Sequence, residues 1–89
     1  MANTKSAAKA ARQNLRRRLR NRAIKSATRT YLKKARLAIE AGDREAAQEA
    51  VRRAVRALDK AAEKGIIHKN NAARKKSRLM RRLQQILAA

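Results

Sequence analysis

Ile39-Glu40-Ala41-Gly42-Asp43-Arg44-Glu45-Ala46 is the stretch on which the fold turns. Gly42 is one of only two glycines in 89 residues that contain no proline. The residues before it are dominated by Ala, Arg, Lys and Leu, all strong helix formers. A glycine after such a run suits the left-handed position that ends a helix, and the aspartate next to it suits the N-cap of another. Glu45 then falls in the first turn, where a negative charge is favoured by the positive helix end. One long helix therefore stops at about residue 41 and a second begins at about 44, folding back on the first.

Gly65, the other glycine, ends the segment that begins at Arg44. Beyond it, Ile66 and Ile67 can pack back across the turn, and His68 or Asn70 can cap a third helix. The pattern predicts helices over about 5–41, 44–64 and 68–87, with no strand pattern and no internal repeat. The expected fold is all-α, a single domain over 1–89 built as a three-helix bundle. At 1.5 Å per residue the first helix spans about 55 Å and the other two roughly 30 Å each. The second can then cover only about residues 22–41 of the first, and a basic arm, 1–20, projects beyond the bundle.

Charge follows the same division. The chain has 26 Lys plus Arg against 6 Asp plus Glu, a formal net charge of +20. Residues 1–39 hold 13 basic residues and no acid, 40–63 hold 5 basic residues and all 6 acids, and 64–89 hold 8 basic residues and no acid. A uniformly cationic tail has no reason to gather its acids in the middle. A folded object with one solvated side and one binding side does.

The core is expected to be thin. There are 21 alanines but only 17 Leu, Ile, Val or Met, and burying one large side chain is worth roughly 1.5–3 kcal/mol. On a helical wheel Ile24, Ala27, Tyr31, Ala35 and Ala38 share the core face of the first helix. Ala47, Val51, Ala54, Leu58 and Ala61 do so on the second, and Ala72, Leu79, Leu83 and Ile86 on the third. Arg18, Arg22, Lys25, Arg29, Lys33 and Arg36 form a cationic stripe opposite the first helix's core face. Before residue 20 that core sector passes to Lys5, Lys9, Arg12, Arg16 and Arg20. Unpartnered cations cannot sit in a buried seam, so the seam must end there. Around Arg16-Arg17-Arg18-Leu19-Arg20-Asn21-Arg22 the helix is basic on nearly every side.

Several function classes drop out. The absence of Cys removes disulfides and thiolate metal sites and is compatible with a reducing, intracellular setting; one His without Cys gives no recognisable zinc site. No apolar run approaches the ~20 residues of a membrane span, and the opening residues have no apolar region of the secretory kind. The acid-free first 39 residues have some transit-peptide character, but the same basic pattern resumes at the far end, where no transit peptide would lie. The acids Glu40, Asp43, Glu45, Glu49, Asp59 and Glu63 read as helix-end and i,i+4 partners rather than metal ligands. His68 reads as a cap or a phosphate contact rather than an acid–base catalyst. Nothing supports an enzyme, a cofactor or a small-molecule substrate.

A polyanion is the partner that such a charge calls for. Arg outnumbers Lys 16 to 10, and Arg makes forked hydrogen bonds to phosphate that Lys cannot. A rod basic around its circumference suits insertion among several backbones of a folded RNA better than one face lying in one DNA groove. Tyr31, the only aromatic and placed on the core face, offers no stacking platform for bases. A nucleoid-type DNA-binding protein shares the charge but typically carries more Lys, Pro-containing tails or a dimer interface. A membrane-active cationic helix shares the amphipathicity, against which the large apolar residues here are spread over three capped segments.

Particular residues narrow this further. Met1-Ala2-Asn3 with Lys5-Ser6-Ala7, Ala11-Arg12-Gln13-Asn14, Arg17 to Arg22, Lys25-Ser26-Ala27, and above all Gly65-Ile66-Ile67-His68-Lys69-Asn70 followed by Ala72-Ala73-Arg74-Lys75-Lys76-Ser77-Arg78-Leu79 resemble the bacterial small-subunit ribosomal protein S-twenty family. The likeness covers the whole chain. It implies a three-helix bundle with an elongated first helix, which binds 16S-type ribosomal RNA directly, helps the small subunit assemble alongside other ribosomal components, and resides in the ribosome of a bacterial cytoplasm or a plastid stroma. By the same likeness Lys5, Arg12, Arg17, Arg18, Arg20, Arg22, Lys25, His68, Lys69, Asn70, Arg74, Lys75, Lys76, Ser77 and Arg78 are expected RNA contacts. Ala8 and Ala10 stand where the family usually has basic residues.

Overall fold

A computed structural model describes residues 4–88; Ala89 and the Met1-Ala2-Asn3 opening of the resemblance lie outside the described residues. Three helices follow in order, α1 (Lys5–Ala41), α2 (Arg44–Glu63) and α3 (Lys69–Ala88), and no strand occurs among the described residues. The all-α, three-helix architecture with a long first helix is the one expected from the sequence.

Local chemistry sets the helix ends. Thr4 caps α1, its Oγ1 accepting the Ala7 N–H at 3.2 Å. Gly42, at φ +77°, closes it by donating its N–H to the Ile39 carbonyl at 3.1 Å. Asp43 follows at once as the N-cap of α2, with Oδ1 accepting from the Ala46 N–H at 3.2 Å. A turn this short leaves α2 no course but back along α1. Gly65, at φ +73°, makes the second reversal: the Ile66 N–H reaches back to the Ala61 carbonyl at 2.9 Å, and Ile66 and Ile67 are half-buried across the turn. His68 begins α3, its Nδ1 accepting the Asn70 N–H at 3.1 Å.

The molecule measures 65 × 21 × 13 Å and has a radius of gyration of 17.7 Å, where a compact chain of this length would have about 12 Å. Length comes from α1, whose 37 residues account for about 55 Å. Tyr31 and Lys34 lie against the start of α2, and Ile24 against its end near Lys64; the pairing is antiparallel and gives out near residue 24. Towards the N-terminus, Ala8 to Arg20 are exposed on every side of the helix.

Nine apolar residues are buried: Ala35, Ala47, Val51, Ala54, Leu58, Ala61, Ala72, Leu79 and Leu83. Five are alanines, so the helices approach closely but little surface leaves water. All five seam residues expected on α2 are buried, and on α3 Ala72, Leu79 and Leu83 are buried with Ile86 half-buried. On α1 the expected face needs correction. Ala27 is exposed and Tyr31 is 38% exposed, whereas Thr28 is buried and Leu32 half-buried. Thr28 is tolerated in the seam because its Oγ1 donates to the Ile24 carbonyl one turn back at 2.8 Å, so no polar atom goes unpaired. The buried sector of α1 faces the gap between α2 and α3, which turns it away from Ala27 and towards Leu32.

Candidate nucleic-acid interface

Turning the core face of α1 also turns its cationic stripe. At about 100° per residue the stripe from Arg18 to Arg36 lies about 110° from the observed buried sector rather than opposite it. Arg29 and Arg36 are thereby brought alongside α3. Between the two helices they face Lys75, Arg78 and Arg82 across a cleft of about 260 Å³ floored by Leu32 and Leu79. No acid lines this cleft. Five cations from two helices converge on one strip of surface, and α1 and α3 are the least contacted helix pair. Like charges facing each other across the cleft oppose the docking of α3 unless an anion lies between them.

Further along α1, Arg17, Arg18, Arg22 and Lys25 share a shallow groove with the amides of Asn14 and Asn21. Guanidinium forks and amide donors side by side match the anionic and neutral acceptors of a nucleic-acid backbone. Beyond the groove, Lys5, Lys9, Arg12, Arg16 and Arg20 are exposed on the arm, as is Lys33 on the bundled part of the helix.

The expected α3 residues divide by geometry. Lys75 and Arg78 join the cleft. Lys69, Asn70, Arg74 and Ser77 are exposed elsewhere on the helix. Lys76 instead turns to α2, where its Nζ lies 3.4 Å from Asp59 Oδ2; its charge is matched within the fold. His68 holds the helix start with Nδ1, which leaves Nε2 without a bond among the described residues. Arg82 also lines the cleft, although it is not among the contacts expected from the sequence. Its signal was the i, i+4 spacing from Arg78, visible only once the direction of the cleft is known.

α2 differs from both neighbours. Glu49 accepts from Arg53 Nε at 3.1 Å and lies 3.5 Å from Arg52 Nη1, and Asp59 takes Lys76. Basic α1 and α3 thus flank a helix on which Glu49 and Asp59 already hold cations. No group of three or more His, Asp or Glu side chains among the described residues is placed to hold a metal ion, and no described helix is long and apolar enough to cross a membrane.

A family model described as "Ribosomal protein S20" matches residues 2–84. The chain belongs to the ribosomal protein S20 family. Curated relatives agree along the full length. The small ribosomal subunit protein bS20 of Thermomicrobium roseum is 58% identical over 89 residues, covering all of this chain and 90% of the relative. Those of Legionella pneumophila and Cutibacterium acnes are each 52% identical over 88 residues, covering 99% of this chain and all of the relative. The residues quoted for the resemblance from Ala2 to Leu79 thus lie within the S20 match.

Proposed function

We propose that this protein is a structural constituent of the small ribosomal subunit, in the cytoplasm, and that it binds the subunit's ribosomal RNA directly and supports its assembly. The acid-free cleft in which Arg29 and Arg36 meet Lys75, Arg78 and Arg82 carries this reading, because it needs a phosphate backbone to relieve its repulsion. The groove from Asn14 to Lys25 continues the same surface onto the arm, whose exposed cations Lys5, Lys9, Arg12, Arg16 and Arg20 enter furthest among the RNA helices. Lys33, Lys69, Asn70, Arg74, Ser77 and the free Nε2 of His68 extend the contact. Lys76 contributes less, being held by Asp59. The role is one of binding and positioning, with no catalytic step.

Two measurements test this. The protein should co-migrate with the small ribosomal subunit through a sucrose gradient. With about ten phosphates neutralised, its affinity for small-subunit ribosomal RNA should fall with a log–log salt slope of roughly −7 to −9. A slope near −2, or equal affinity for random duplex DNA at moderate salt, overturns the reading in favour of weak or generic polyanion binding.

A further inference from the structure

Tyr31 is the only aromatic residue of the chain, and it is 38% exposed rather than sealed in the core. Its ring lines an open groove of about 420 Å³ between α1 and α2, on the other side of α1 from the cleft with α3. Ile24, Ala27 and Ala57 supply an apolar floor, and Arg56, Lys60 and Lys64 follow one another along the rim. No acid lines the groove. This is unexpected on the helix that carries five of the six acids within or immediately before it; Arg53 also lines the groove, but it is held by Glu49, which stands at the groove's edge, while Asp59 is drawn to Lys76 on α3. Arg56, Lys60 and Lys64 take part in none of the ion pairs among the described residues.

An aromatic ring, an apolar floor and a row of unpaired cations within one groove match the two halves of a nucleotide. A backbone phosphate alone would leave the tyrosine and the floor without a partner, and an apolar ligand would leave the cations without one. The volume lies within the range of about 300–1,000 Å³ usual for small-ligand sites. We propose that this groove receives a single unstacked nucleotide of the bound RNA, its base against Tyr31 and its phosphates at Arg56, Lys60 and Lys64. The inference rests on the RNA-binding reading above and adds to it a second face and a different mode, stacking on a base in place of contact with backbone alone.

The chain contains no tryptophan and one tyrosine, so its intrinsic emission comes from Tyr31 alone. The full-length protein is titrated with small-subunit ribosomal RNA and, separately, with long-chain inorganic polyphosphate, which has the charge but no bases. Binding is followed independently by filter retention. RNA should quench Tyr31 and give an ultraviolet cross-link that maps to it; polyphosphate should bind without quenching. Tyr31→Phe should bind RNA as the parent does, while Tyr31→Leu should weaken binding roughly tenfold, the scale of one lost base–aromatic stack, with helicity kept. Replacing Arg56, Lys60 and Lys64 together by Gln should abolish the quenching. Equal quenching by RNA and polyphosphate, no cross-link at Tyr31 in an RNA complex that forms, or parental affinity of Tyr31→Leu overturns the proposal. Failure of the parent to bind RNA at all would instead overturn the RNA-binding reading beneath it. Should Tyr31→Leu lose its helicity, the quenching and cross-link of the unaltered chain decide the matter.

Discussion

The two halves of α1 make the most instructive comparison in the molecule. Both are continuous α-helix, rich in Ala, Arg and Leu, and no glycine or proline divides them. From Ile24 to Ile39 the helix buries Thr28 and Ala35 and half-buries Ile24, Leu32, Ala38 and Ile39. From Ala8 to Arg20 it buries nothing, and Leu15 and Leu19 stand 54% and 55% exposed. Most helical stability in proteins comes from packing an apolar face, and the arm has no such support. Its cations at i, i+3 and i, i+4 repel one another as well. One half of the helix is therefore held by the fold, whereas the other depends on helix propensity and on whatever neutralises its charge.

The sharpest way to break that comparison is to delete a leucine from each region. Leu58 is fully buried in a core with few large side chains, and Leu58→Ala should cost about 2–5 kcal/mol, a large share of the stability of so small a domain. Leu19→Ala should change stability by no more than about 0.5 kcal/mol. Urea denaturation followed by circular dichroism measures both. Equal losses would mean that the arm is packed in solution. The reverse pattern belongs to binding: Glu at Arg18, Arg22 and Arg29 together should weaken affinity for small-subunit ribosomal RNA by at least about 100-fold, since each lost charge-assisted contact is worth about 1.5–3 kcal/mol, while bundle helicity stays near the parent's. A large loss of helicity would remove that stripe from the RNA-binding surface.

The same contrast explains what could be read from the chain beforehand. On α2 the seam Ala47, Val51, Ala54, Leu58 and Ala61 was legible because the other face is plainly charged and the periodicity has one solution. On α1 alanines and cations alternate around the whole helix, so the wheel admits more than one face: the one through Ala27 and Tyr31 avoids a threonine in the seam, and the observed one through Thr28 and Leu32 leaves the tyrosine at the edge. A hydroxyl that satisfies itself on the preceding turn lets Thr28 be buried, and an open groove takes the ring of Tyr31. An error of less than half a helical face was enough to hide the cleft, because Arg29 and Arg36 then point to solvent and Arg82 has no reason to be singled out. The Lys76–Asp59 pair joins residues 17 apart on different helices, so its geometry exists only once α2 and α3 are docked. Arg74, Lys75 and Lys76 look alike in sequence and differ only in what lies beside them.

Smaller effects at the helix ends should divide along the same line. A Cβ at Gly42 would meet nothing within 4 Å, so Gly42→Ala tests backbone conformation alone; holding alanine at φ +77° should cost about 1–2 kcal/mol. Asp43→Ala removes the cap beside it and should cost about 1 kcal/mol. Thr4 makes the same kind of bond as Asp43, with an equal length of 3.2 Å to the third residue of its helix. Thermal melting of the free protein should nevertheless scarcely register Thr4→Ala. A cap adds to global stability only where the turn it closes unfolds together with the core, and the arm can fray from its tip while α2 and α3 remain docked. Adding small-subunit ribosomal RNA should change this, because bound phosphates tie the arm to the rest of the complex. Hydrogen exchange at Ala7 and Ala8 should then become sensitive to Thr4→Ala in the complex but not in the free chain. Equal sensitivity in both states would show that the first turn of α1 is already coupled to the bundle, leaving no energetic division between the two halves of the helix.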